Sequence, residues 1–70
     1  MQKNLLEAEI KKNGETAGVL AKRLGISSAS FSKKINGKSE FVQSEIAKIK
    51  EVYSLTAQQI DDIFFKEKVS

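Results

Sequence analysis

The sequence predicts an all-α domain of five short helices. Apolar residues recur at helical spacing, glycines and capping residues punctuate them, and no stretch alternates long enough to make a strand. The expected domain covers residues 1–65, with a frayed tail at 66–70.

The first helix is expected over residues 2–12, with Leu5, Leu6 and Ile10 facing inward. Lys11 and Lys12 suit the negative pole of its dipole, and Asn13-Gly14 stops it because both tolerate positive φ. The second helix begins after Thr16, whose hydroxyl can accept from free backbone N–H groups. Ala17, Leu20, Ala21 and Leu24 share one of its faces, and Ala21 is small where helices must cross closely. Gly18 is out of place, since glycine inside a helix costs about 1 kcal/mol relative to alanine.

Gly25 ends the second helix in a conformation that glycine adopts without strain, and Ile26 tucks into the core. Ser27 caps a third helix that runs to about Asn36 and stops at Gly37. Phe31 and Ile35 must face inward, which turns Ser28, Ala29, Ser32, Lys33 and Asn36 outward. Two short helices, a tight glycine turn and a basic second member form a helix-turn-helix pattern, a unit that lays its second helix in the major groove of DNA.

Phe41 is expected to anchor the next loop. A fourth helix covers about 43–53, with Ile46, Ile49 and Tyr53 on one side. A fifth starts after Thr56, where Thr56 and Gln59 match a capping box. Its apolar residues are Ile60, Ile63, Phe64 and Phe65, more than one face of a terminal helix hides. Phe65 either stands exposed beside its neighbours as a contact surface or folds back over Leu5 or Leu6.

Composition excludes several chemistries. The 70 residues contain no cysteine and no histidine, which removes disulfides, the usual zinc ligands, the thiol nucleophile and the most frequent general base. Glu45, Glu51, Asp61 and Asp62 read as a solvated acidic face rather than a metal or acid–base site. With so small a core there is no room for a substrate cavity, so neither an enzyme nor a cofactor or small-molecule binder is expected. No apolar run suits a bilayer or a signal peptide, so a cytoplasmic protein without membrane association is expected. Residues 1–38 hold eight Lys/Arg against three Glu, while residues 39–70 hold four Lys against six Asp/Glu. The basic half carries the helix-turn-helix pattern, as a phosphate-facing surface requires.

The order of elements and the residues VLAKRLGISSASFSKKINGK resemble the small five-helix, lambda-repressor-like domain of phage Cro and CI repressors. The later segment FVQSEIAKIKEVYSLTAQQIDDIFF is similar to short regulators of lysis–lysogeny switches in temperate phages of Gram-positive bacteria. The likeness spans roughly residues 5–65. It implies a transcriptional regulator acting in the bacterial host, with residues 28–36 as recognition helix and operator DNA bound as a homodimer. Base contacts then fall to Ser28, Ala29, Ser32 and Lys33. Phosphate contacts fall to Thr16, Ala17, Asn36 and Lys38, joined by Lys22 and Lys34.

Many relatives carry glutamine where this chain has Ala17, and no bidentate base reader leads the third helix. Sharp sequence choice must then come from few contacts or from DNA shape. Full-length CI repressors also carry a dimerisation domain, so a chain of this length beginning at Met1 is expected to be a complete Cro-type regulator or a truncated piece. As a second reading the resemblance also allows an antirepressor, which binds a CI-type repressor through its helix-turn-helix or through Ile60, Phe64 and Phe65.

Overall fold

The computed structural model describes residues 1–66. Among them the chain is all-α, with no strand. Its helices are α1 (Lys3–Lys12), α2 (Ala17–Leu24), α3 (Ser28–Ile35), α4 (Gln43–Val52) and α5 (Ala57–Ile60), the last widening into a π-helical turn over Asp61–Phe65.

The starts of α2 to α5 have local chemical causes. The hydroxyl of Thr16 accepts from Val19 N at 3.2 Å, and that of Ser27 from Ser30 N at 3.1 Å. Thr56 and Gln59 cap α5 reciprocally: Gln59 N donates to Thr56 Oγ1 at 3.1 Å, and Thr56 N to Gln59 Oε1 at 2.8 Å. At the head of α4 the cap residue is Val42, which has no side-chain acceptor. Glu45 supplies half of a capping box there, its Oε1 accepting from Val42 N at 2.9 Å. Gly25, with φ of 74°, closes α2 in the left-handed region.

The core is continuous through the described helices. Leu6 from α1, Leu20 from α2, Phe31 from α3 and Ile49 from α4 are fully enclosed, and Ile60 and Ile63 close the far side. α2 packs on α3 and α4, while α1 packs on α2 and on the π-helical turn. The backbone N–H of Gln2 donates to the Ile63 carbonyl at 2.7 Å, which joins the two ends of the domain. Phe41 does anchor its loop: its ring meets Phe31 edge-on at 5.7 Å and Phe64 at 5.4 Å.

Three expectations need correcting. Leu5 is 44% exposed rather than inward, because α1 buries the Leu6–Ile10 stripe and Leu5 lies off it. Glu45 is not on a solvated face: it is half-buried and holds both Val42 N and Lys34 Nζ, the latter at 2.8 Å. The fifth helix is α-helical for one turn only before it widens. The predicted frayed tail lies, beyond Lys66, outside the described residues.

Candidate nucleic-acid interface

Gly25 to Ser27 join α2 to α3, and the geometry of that corner follows from two side chains. Ile26 packs on the core at the turn, and Ser27 restarts the helix by its cap. Phe31 and Ile35 then bury one side of α3. Ser28, Ala29, Ser32 and Lys33 stand exposed on the other, as the helical period requires. Thr16, Ala17, Lys22, Asn36 and Lys38 are exposed as well.

From Thr16 to Lys38 the chain carries five Lys/Arg and no acidic residue. Arg23 is the one arginine, and Glu15 engages it: Nη2 lies 2.6 Å from Oε2, and Nε donates to the same oxygen at 3.0 Å. The Arg23 guanidinium holds the Glu15 carboxyl below its usual range, with Tyr53 adding a further hydrogen bond.

Lys34 departs from its neighbours. Its side chain is only 14% exposed, and its ammonium lies 2.8 Å from Glu45 Oε1 and donates to the Glu40 carbonyl at 3.2 Å. Burial pushes the Glu45 carboxyl up, but Lys34 and the Val42 N–H outweigh it and hold that carboxyl below its usual range. The pair fastens α3 to the start of α4 and turns Lys34 away from the exposed face. Sequence reasoning missed it because Lys34 and Glu45 are eleven positions apart, on different helices. The sequence carries a signal for one half of the site only: a carboxylate at the third position of α4 is placed to accept from the N–H of the cap residue, which marks Glu45 as engaged but does not name Lys34.

A groove of about 460 Å³ runs between α1, the start of α2 and α3. Thr16, Gly18, Ser28 and Ser32 line its mouth, and Lys3 and Asn36 meet at one end with Nζ 2.7 Å from Oδ1. Gly18 is open: a methyl group there would meet Ser28 Oγ at 3.7 Å and Thr16 Oγ1 at 3.8 Å, ordinary contact distances. No packing inside the protein requires a glycine at this position.

Ile60, Phe64 and Phe65 do not share one surface. Ile60 is in the core at 8% exposure, Phe64 is half-buried against Phe41, and Phe65 alone is widely exposed, at 65%. Phe65 therefore does not fold back over Leu5 or Leu6. It borders a second recess, of about 360 Å³, with Phe41, Ile46 and Phe64.

Among the described residues no group of His, Cys, Asp and Glu is placed to hold a metal ion. No helix of the described residues is long and apolar enough to cross a membrane. No curated protein and no solved structure matches the chain. A family profile matches residues 3–67, nearly its whole length, and by that match the chain belongs to the family described as "Protein of unknown function (DUF739)".

Proposed function

We propose that this chain is a DNA-binding transcriptional regulator of the phage Cro/CI type, acting in the bacterial cytoplasm. In this reading α2 and α3 are the helix-turn-helix, α3 enters the major groove, and two copies read paired half-sites. The observation that carries the reading is the free face of α3. Ser28, Ala29, Ser32 and Lys33 are exposed together within a segment that has five cations and no acid. Serine bonds several base edges, alanine meets the thymine methyl, and lysine donates to guanine O6 and N7. Thr16, Ala17, Lys38 and Lys22 take the phosphates on either side, while Asn36 is engaged by Lys3 and Ser32 and Lys34 serves the fold through Glu45.

A gel-shift titration on the promoter DNA flanking its own gene tests the proposal, with random duplex as competitor. A specific shift at about micromolar concentration or tighter, weakening steeply with salt, is the expected result. Equal binding to both DNAs, or no shift at any salt, overturns it.

Phe65 favours a second reading, in which the chain is an antirepressor that binds a CI-type repressor. A phenylalanine exposed at 65% beside an aromatic recess is the kind of surface a protein partner covers. The same titration with the repressor added separates the two: an altered repressor shift without one from the chain alone favours this role.

A further inference from the structure

Asn36 ends α3 with an amide that has two possible orientations, and a neighbouring cation selects one. An ammonium has donors only, so the Asn36 atom 2.7 Å from Lys3 Nζ must be the carbonyl oxygen Oδ1. The amide nitrogen is thereby turned back onto its own helix. There Nδ2 donates to the Ser32 carbonyl at 2.9 Å and to Ser32 Oγ at 3.3 Å. A hydroxyl that accepts from Nδ2 cannot direct its own hydrogen at the same atom. Among the described residues Ser32 Oγ donates to nothing, and the residue is exposed.

From this network we infer that Lys3 and Asn36 set the polarity of Ser32, making it a hydrogen-bond donor that selects acceptor edges of bases. The inference rests on the DNA-binding reading and names what one of its contacts recognises. A serine hydroxyl ordinarily donates or accepts, and so discriminates little. Here one lone pair is already occupied, and the hydrogen needs an acceptor once water is excluded from the interface. An unpaired donor costs more than an acceptor with one spare lone pair. Guanine, with O6 and N7, thymine, with O4, and adenine, with N7, satisfy the hydrogen, whereas the cytosine amino group does not. In a recognition helix without a bidentate reader, this fixed polarity is a source of sequence choice.

The test is selection from a double-stranded DNA library with a randomised central stretch, followed by sequencing of the bound fraction. The intact chain is expected to enrich a motif, and Ser32→Ala identifies the position that depends on Ser32. Cytosine should be disfavoured at that position by about fivefold against the bases that offer an acceptor, the discrimination of a single net hydrogen bond. Asn36→Asp retains the contact with Lys3 but replaces the amide donor by an acceptor. Ser32 then donates inward and presents lone pairs, so preference at that one position should turn towards cytosine and away from guanine and thymine. Lys3→Met frees the amide to rotate and should flatten the preference there, with the rest of the motif unchanged. Thermal melts followed by circular dichroism establish that each variant is folded; if Asn36→Asp is not, Lys3→Met at an exposed position decides alone. An unchanged base preference in the folded variants overturns the inference while leaving DNA binding intact. No enriched motif with the intact chain overturns both.

Discussion

The hydroxyl of Tyr53 donates to Glu15 Oε1 at 2.9 Å, which ties the end of α4 to the link before α2. Burial, and then the Glu15 carboxylate, push the Tyr53 phenol well above its ordinary value of 10.0. The chain has one tyrosine, so near-ultraviolet phenolate absorbance reads this group alone. The unfolded chain releases that proton at lower pH than the folded one. Stability from this group is therefore complete below pH 10.0 and declines as pH rises above it. Phenolate should appear only well above the ordinary value, or together with unfolding. Titration at the value of a free tyrosine would show that the contact is absent in solution.

In acid the sign reverses. Glu15 and Glu45 both have folded values below the ordinary 4.5, Glu15 through Arg23, and Glu45 through Lys34 and Val42 N against the opposing effect of burial. Their stabilisation is present above pH 4.5 and is lost as pH falls through the depressed values. Urea titrations across that window should show falling stability, with a shallower slope in Glu45→Gln. An equal slope in that variant would remove Glu45 from the account.

Lys33 and Lys34 are adjacent in sequence but differ in what they touch. Lys33→Ala should reduce the slope of log affinity against log salt by about 1 if it meets a phosphate, and should cost more on operator than on random DNA if it meets a base. Lys34→Met should leave that slope unchanged and lower stability by about 1–2 kcal/mol, because Glu45 is left half-buried without its cation. A reduced salt slope in folded Lys34→Met would return Lys34 to the DNA contacts.

Ser54 is the only described residue other than glycine with positive φ, at 51°, where it closes α4. Its Cβ is strained in that region, so Ser54→Gly should stabilise the domain by about 1 kcal/mol. Thermal denaturation measures this directly, and a loss of stability would mean that the serine has a compensating contact.

Gly18→Ala should also stabilise, by up to about 1 kcal/mol in urea, since the added methyl meets only ordinary contacts in the first turn of α2. A destabilised variant would show that the close approach of α2 to Ser28 is tighter than these distances indicate.

The local grammar of the chain was legible in its residues. Thr16, Ser27 and Thr56 cap helices through atoms three residues away, and Gly25 stops α2 through its own backbone. The inward pair Phe31–Ile35 likewise fixed the exposed face of α3, because a helix of known period has one opposite side. What the periodic pattern did not separate was Leu5 from Leu6, adjacent leucines of which only Leu6 lies on the buried stripe. Phe64 and Phe65 present the same ambiguity, and the widening of α5 into a π-helical turn accompanies its resolution.

Side-chain partners distant in sequence were decided by tertiary structure alone. Glu15 meets Tyr53 across 38 positions, Lys3 meets Asn36 across 33, and Lys34 meets Glu45 across 11. Caps and periods act within one helical turn, where the covalent chain itself sets the distances. Which lysine is bound to a carboxylate and which stands free depends on how helices pack, and that is settled by burying Leu6, Leu20, Phe31 and Ile49 together. The sequence by itself thus determined the helices and the exposed face of α3; packing decided that Lys33 is available on that face and Lys34 is held in the structure.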